Sequence, residues 1–178
     1  FMQQPTVLVL ASGRGERFAA SGGSVHKLQA LLAGKTVLEH TLDAVRASGL
    51  PWHLEDAGHP GMGDSIAAAV RATRDAAGWL ILPADLPLIQ AATLLQVAAA
   101  LQTHDVVVPV YQGSRGHPVG FGAACGPALL ALQGNQGAAP VVRAHAAIEL
   151  IVDDIGCVTD IDTLDDLARA QALVSRPR

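Results

Sequence analysis

The stretch TVLVLASGRG, residues 6–15, is the most informative about the fold, because in it a short apolar run meets a glycine-rich loop. The run at 6–10 is typical of a strand that is buried on both faces of a parallel sheet. The glycines at positions 13 and 15 allow the backbone to approach a ligand without obstruction by a Cβ atom, so that N–H groups can face a phosphate. The stretch therefore predicts a strand that ends in a phosphate-binding loop.

Two common phosphate-binding signatures do not fit this loop. The dinucleotide fingerprint GxGxxG fails at Phe18, where its third glycine would stand. The P-loop pattern GxxxxGK[ST] fails at Gln29, where its first glycine would precede the Gly-Lys-Thr of residues 34–36. A third kind of phosphate site is still possible, in which the glycine N–H groups face the phosphates and nearby cations neutralise them. The alternative is an ordinary solvated turn. The cations of the loop are Arg14, Arg17 and Lys27.

Strand-like and helix-like segments alternate along the rest of the chain. Apolar runs bounded by Gly or Pro predict strands, and helical periodicity with capping residues predicts helices. The pattern predicts one α/β domain over residues 2–178, with a doubly wound, mostly parallel sheet. The short interval between Gly49 and Gly61 predicts a truncated unit with room for one strand. Strands are predicted at 6–10, 51–55, 79–82, 106–110 and 148–152, and helices at 36–48, 64–77 (capped by Asp64 or Ser65), 91–101, 127 onward and 164–174.

Composition excludes several classes of function. The net charge of −4 provides no basic field for nucleic acid or an anionic membrane. No apolar run approaches the ~20 residues that a membrane helix needs. Cys125 and Cys157 stand alone, without the spacing of metal ligands, and the histidines form no HExxH pattern. These features, together with the lack of a visible secretory leader, predict a cytoplasmic protein with reduced thiols and no zinc site.

The glycine loop resembles the nucleotidyltransferase signature LAAGxSxRMGxxK. The matching residues are Leu10-Ala11-Ser12-Gly13-x-Gly15-x-Arg17-Phe18, followed by Lys27 after an insertion at 19–26. Ser12 and Phe18 replace an alanine and a methionine of the signature. The chain is similar to the molybdenum-cofactor nucleotidyltransferases, the MobA-like NTP transferases, and more widely to sugar-nucleotide and isoprenoid cytidylyltransferases.

Five further stretches carry the same resemblance, one of them only in part. The GMGDSI of residues 61–66 is similar to the GMGxSL element of the cytidylyl branch, and the ADLP of 84–87 to an element whose aspartate holds Mg²⁺. The RGHP of 115–118 is similar to a segment on the acceptor side, and the DIDT of 160–163 to the start of DIDTPEDL. The stretch at 134–139 resembles GDxGAR but lacks its acid and its arginine.

The resemblance implies a Rossmann-like nucleotidyltransferase fold and a set of site residues. Arg17, Lys27 and Asp85 are implied to be catalytic, Arg115 and His117 to face the acceptor, and Asp85 with Asp160 to hold Mg²⁺, Asp162 being the alternative second ligand. The residues implied to bind nucleotide are Leu10, Ala11, Ser12, Gly13, Gly15, Gly61, Gly63 and Ser65.

The implied reaction transfers CMP from CTP to the phosphate of a molybdopterin cofactor and releases pyrophosphate, with a molybdoenzyme as a partner of the product. Two alternatives stay open. One is the same chemistry with GTP or another phosphorylated acceptor. The other is a non-catalytic protein that binds nucleotide or cofactor for delivery.

Overall fold

Strands and helices alternate in the computed structural model, which describes residues 3–13, 16–23 and 26–175. Strand β1 confirms the prediction for residues 6–10, and the interval after Gly49 holds a single strand, β4, as expected. The strands are β1 (Thr6–Leu10), β2 (Leu31–Leu32), β3 (Lys35–Thr36), β4 (Trp52–Glu55), β5 (Gly78–Pro83), β6 (Val106–Tyr111), β7 (Ser114–Arg115), β8 (Val119–Gly122) and β9 (Ile148–Ile151). The helices are α1 (Glu16–Ala20), α2 (Val37–Ser48), α3 (Met62–Ala72), α4 (Ala91–Ala100), α5 (Gly126–Leu130), α6 (Ala139–Ala144) and α7 (Leu164–Val174).

The central sheet has the strand order β4-β1-β5-β8-β6-β7, and β9 also pairs with β6. Strands β4, β1 and β5 are parallel neighbours, and β6 pairs in parallel with β9. Strand β8 runs antiparallel to both β5 and β6, so that β6 points the same way as β5. The sheet is therefore mostly parallel, as the alternation of elements predicts.

Helices cover both faces of the sheet, which is the doubly wound arrangement. Successive residues of a strand point to opposite faces, and β1 shows this clearly: Val7 and Val9 join one apolar cluster, Leu8 and Leu10 the other. The first cluster packs against apolar residues of α2, α4 and α7. The second packs against α3, α5 and α6. Because β1 is buried on both faces, its sequence is a continuous apolar run rather than an alternating one.

The boundaries predicted for the helix at 64–77 are wrong. Helix α3 begins at Met62 with Gly61 as its N-cap, and it ends at Ala72. It starts early because the glycine segment packs on the loop at 133–135, where the Gly63 N–H donates to the Gly134 carbonyl at 2.8 Å. Asp64 does not cap the helix; its carboxylate instead accepts from the Gly134 N–H at 3.1 Å.

Strand β8 and helix α6 are absent from the sequence-based prediction. The sequence of β8, VGFG, holds two glycines, which favour a turn when read alone. The strand forms because its neighbours β5 and β6 supply hydrogen bonds on both sides. Since β8 is antiparallel to β5, the first residue of β8 lies near the carboxyl end of β5. The segment that precedes β8 therefore reaches the edge of the sheet where β5 ends.

The buried carboxylate of Asp154 ties α4 to the turn that leads toward the aspartates at 160–162. It accepts from Thr93 Oγ1 at 2.6 Å, from the Gln90 N–H at 3.0 Å and from the Gly156 N–H at 2.8 Å. We expect Asp154→Ala to lower the free energy of unfolding by about 2–3 kcal/mol, because hydrogen bonds to charged groups are among the stronger ones.

Chemical denaturation measures this loss. The matched control is Asp153→Ala, an exposed carboxylate one residue earlier, for which we expect a change within about 0.5 kcal/mol. Equal stabilities for the two variants would contradict the prediction.

Candidate active site

A cavity of about 500 Å³ opens at the carboxyl ends of β1 and β5. Ligands of open α/β sheets bind at this edge, because the loops that leave parallel strands converge there. The cavity brings together most of the residues that the sequence singles out. Those that line it are Leu10, Ala11, Ser12, Gly13, Arg17, Lys27, Gly61, Ser65 and Asp85.

Five predicted site residues are not among those found to line the cavity; one of them, Asp160, lies beside Asp85. Gly15 lies outside the described residues. Gly63 is buried inside α3, where its N–H is bound to Gly134. Arg115 lies on β7 and its guanidinium pairs with Glu149 at 3.3 Å, so the structure does not bring it to the cavity. His117 lines a second cavity, described below.

The start of the glycine loop is held against the end of β4. The Ala11 N–H and the Ser12 hydroxyl both donate to the Glu55 carbonyl, at 2.8 and 3.2 Å. The Ser65 hydroxyl donates to Ser12 Oγ at 3.3 Å, which links the loop to α3. On the far side, His26 Nε2 lies 2.7 Å from the Gly13 carbonyl oxygen. These contacts position the loop backbone beside the cavity before any ligand binds.

Lys27 lies among carboxylates despite the insertion that precedes it. Its Nζ is 2.8 Å from Asp85 Oδ2 and 3.0 Å from Asp162 Oδ1. Burial alone would lower the pKa of Lys27, but the adjacent Asp85 and Asp162 carboxylates outweigh it and hold the pKa above its ordinary value. Arg17 approaches Asp162 at 3.7 Å, while 80% of its side chain remains exposed. Two cations, each paired with an aspartate, therefore line the cavity.

Three carboxylates converge beside Lys27. Oxygens of Asp85, Asp160 and Asp162 lie within 4.8 Å of one another. The segment that carries Asp160 and Asp162 is fixed to Asp85, because the Ile161 N–H donates to the Asp85 carbonyl at 3.0 Å. Partial burial and the neighbouring Asp162 raise the pKa of Asp160 to about 6. Burial would also raise the pKa of Asp162, but hydrogen bonds from Asp160 and Lys27 hold it below its ordinary value. Clustered carboxylate oxygens are the ligands that hard divalent cations prefer.

A second cavity, of about 320 Å³, adjoins the first and shares Leu10, Met62, Pro83 and Asn135 with it. Its walls are mainly apolar, with a few polar groups from the loop at 135–138. His117 also lines it, and burial lowers the pKa of this imidazole, so that it is neutral near pH 7. The loop at 134–139, which lacks the acid and arginine of the similar motif, thus still contributes to both cavities.

Sequence reasoning missed a cluster formed by His53, Glu55 and His59. Glu55 ends β4 and is 8% exposed, and its two carboxylate oxygens face His53 Nε2 at 3.1 Å and His59 Nε2 at 3.0 Å. Burial would raise the pKa of Glu55, but hydrogen bonds from His59 and His53 hold it below its ordinary value. The available signal was a glutamate at the end of a predicted strand, with histidines two residues before it and four after.

No helix among the described residues is long and apolar enough to cross a membrane.

Solved structures resemble this fold along nearly its whole length. Rv0371c from Mycobacterium tuberculosis H37Rv is 26% identical, with a TM-score of 0.79 over 97% of this chain and 99% of that one. A second structure of Rv0371c, described as a complex with manganese, is 24% identical, with a TM-score of 0.76 over 95% and 98% of the two chains. Molybdopterin-guanine dinucleotide biosynthesis protein A from Archaeoglobus fulgidus is 19% identical, with a TM-score of 0.70 over 96% and 98%.

No curated protein matches the chain at a significant level. The profile of the MobA-like NTP transferase domain matches residues 43–148, which is more than half of the chain. That range includes α3, β5 with Asp85, and the antiparallel strand β8. The chain therefore belongs to the MobA-like NTP transferase domain family, and its activity is nucleotidyl transfer.

Proposed function

We propose that this chain, as one domain over residues 2–178, transfers CMP from CTP to the phosphate of a molybdopterin-type cofactor. One observation carries the proposal: the glycine loop, Lys27, Asp85 and Asp162 line a cavity that continues into a second, mainly apolar one, and Asp160 lies beside the two aspartates. Such an arrangement provides adjoining spaces for a nucleoside triphosphate and for a second substrate.

The nucleotide lies in the first cavity. The backbone N–H groups of the glycine loop and the side chains of Arg17 and Lys27 bind its phosphates, since charge-assisted hydrogen bonds to phosphate are the strong ones. The GMGDSI segment at 61–66, similar to an element of the cytidylyl branch, contributes Gly61 and Ser65 to the wall and favours CTP as donor.

A divalent cation, Mg²⁺ in our proposal, is held by Asp85 together with Asp160 and Asp162. The convergence of their oxygens fits such an ion, and the manganese complex of the M. tuberculosis relative supports a divalent cation. When bound, the ion supplies positive charge for the triphosphate and the developing pyrophosphate.

The acceptor lies in the second cavity. Apolar walls from Met62, Ile66 and Phe121 suit a flat heterocycle, and the polar atoms of His117 and Asn135 can orient it by hydrogen bonds. The name of the A. fulgidus relative supports a molybdopterin compound as acceptor.

In the reaction, an oxygen of the acceptor phosphate attacks the α-phosphorus of CTP. A new P–O bond forms as the bond to the bridging oxygen breaks, and pyrophosphate leaves with the electron pair. The attacking phosphate is ionised at neutral pH and needs no general base. The protein's contribution is alignment and charge neutralisation by the loop N–H groups, Arg17 and Lys27.

Pyrophosphate release tests the proposal. The protein is mixed with CTP, Mg²⁺ and molybdopterin carrying molybdenum, and pyrophosphate is measured against mixtures that lack the acceptor. Acceptor-dependent release supports the proposal. Binding of CTP and acceptor without release would show that this pair is not turned over, and release with another phosphorylated acceptor alone would reassign the second substrate.

The choice of nucleotide is tested by thermal stability. We expect CTP with Mg²⁺ to raise the melting temperature more than GTP with Mg²⁺, because the tighter ligand stabilises the native state more. A ligand at ~100 times its dissociation constant stabilises the native state by about 2.7 kcal/mol. For a domain of this size that corresponds to a shift of roughly 5–10 °C. A larger shift with GTP would overturn the cytidylyl assignment and leave nucleotidyl transfer intact.

A further inference from the structure

The carboxylate of Glu55 fixes the orientation and the tautomer of His59. An ionised carboxylate only accepts hydrogen bonds, so the His59 Nε2 that lies 3.0 Å from it carries the proton and donates. In the neutral imidazole the other nitrogen, Nδ1, then holds a lone pair and can only accept. Glu55 is itself immobilised, because its carbonyl binds Ala11 and Ser12 of the glycine loop.

The remaining nitrogen of His59 is available to a ligand. The imidazole lines the 500 Å³ cavity, and its side chain is 18% exposed. Within the described part of the chain every buried side-chain nitrogen and oxygen has a hydrogen-bond partner. The hydrogen bond found for the His59 ring joins Nε2 to Glu55, so Nδ1, which has no such partner among the described residues, is not buried. Nδ1 is therefore an accessible acceptor at the wall of the cavity.

The strand order places His59 at the end of the cavity that is remote from the phosphate-binding side chains. Asp85 follows β5 and His59 follows β4, and β1 lies between these two strands. Adjacent strands are about 4.8 Å apart, so β4 and β5, the strands that precede these two residues, lie roughly 10 Å apart. A nucleotide with its phosphates beside Lys27 and Asp85 has its base beside His59, Pro60 and Gly61, which carry no fixed charge.

We propose that His59 Nδ1 accepts a hydrogen bond from the exocyclic amino group of the base and selects cytosine over uracil. The proposal rests on the proposed function. Cytosine presents an N–H donor at its 4-position, whereas uracil presents a carbonyl oxygen there, which meets the lone pair of Nδ1. Glu55 is the positioning residue, because it keeps the proton on Nε2.

The His53–Glu55–His59 cluster serves to orient a side chain rather than to bind a metal. Among the described residues, the groups whose ligand atoms converge closely enough for a cation are Asp85, Asp160 and Asp162. The two imidazoles instead lie on separate oxygens of Glu55, each at hydrogen-bond distance.

The test measures binding of CTP and of UTP, with Mg²⁺ and without acceptor, to the wild type and to His59→Ala. The measurements are made at pH 8, above the ordinary pKa of imidazole of about 6.5. We expect the wild type to favour CTP by about tenfold or more, the scale of one lost hydrogen bond combined with one unpaired acceptor. In His59→Ala we expect CTP to bind about tenfold more weakly and UTP no more weakly than before, so that the preference disappears.

His53→Ala is the matched control. His53 makes the same kind of contact to Glu55 but does not line the cavity, so its loss should leave the preference for CTP unchanged. A CTP preference that survives in His59→Ala, or that is lost equally in His53→Ala, overturns the role of His59 while leaving nucleotidyl transfer intact. A wild type that favours GTP in the thermal test overturns the cytidylyl assignment itself, a different result.

Discussion

Asp85→Asn is expected to lower turnover by at least ~100-fold while the protein remains folded. The amide has the size of the carboxylate and still accepts from Lys27 Nζ, which lies 2.8 Å from the Asp85 oxygen. A neutral amide is nevertheless a poor ligand for Mg²⁺ at a site where the ion provides charge stabilisation. Acceptor-dependent pyrophosphate release measures turnover, and circular dichroism checks the fold.

Asp75→Asn serves as the control for this prediction. Asp75 is an exposed carboxylate in the turn between α3 and β5, away from the carboxyl edge of the sheet. Its replacement should leave turnover within about twofold of the wild type. Wild-type turnover in Asp85→Asn would show that Asp85 only pairs with Lys27 and begins the segment after β5.

Lys27→Ala is expected to weaken CTP binding, or to lower turnover, by about 10- to 100-fold. Charge-assisted hydrogen bonds contribute roughly 1.5–3 kcal/mol, against ~0–1 kcal/mol for an exposed ion pair. Only 14% of the Lys27 side chain is exposed, so solvent screens its charge weakly. The loss should be smaller for CMP, which lacks the β- and γ-phosphates that we assign to this side chain.

Lys35→Ala is the matched control, since the chain has two lysines, and Lys35 is 59% exposed and paired with Asp43 on the surface. We expect CTP affinity and turnover in this variant to equal those of the wild type. Equal losses for CTP and CMP in Lys27→Ala would indicate that Lys27 supports the local structure of the carboxylate cluster rather than the terminal phosphates.

The central parallel strands β1 and β5 were predictable because each is an apolar run with a clear stop. Thr6–Leu10 and the centre of β5 are buried on both faces, and this condition determines their composition directly. The same reasoning failed for β8, whose glycines fit a strand only because β5 and β6 flank it. It also placed the start of α3 too late, since the support for Gly61 and Gly63 comes from residues 133–135, far along the chain.

The site was predictable where its chemistry lies in one short motif. Ser12, Lys27 and Asp85 belong to such motifs, and all three line the cavity. The role of Glu55 and His59 was hidden, because it depends on β4 lying beside β1, which no local pattern reveals. Arg115 belongs to a matching motif but lies on β7, from which its side chain reaches Glu149 instead.

Strand β8 also determines when the two halves of the sheet are joined during synthesis. It joins the half formed by β4, β1 and β5 to the half formed by β6, β7 and β9, and among the described strands no other pairing links these halves. A nascent chain that has passed β5 therefore keeps one long strand edge open until residues 119–122 follow. Open edges pair readily with other chains. This antiparallel strand thus covers the open edge of β5 before β9 is made, a task separate from catalysis.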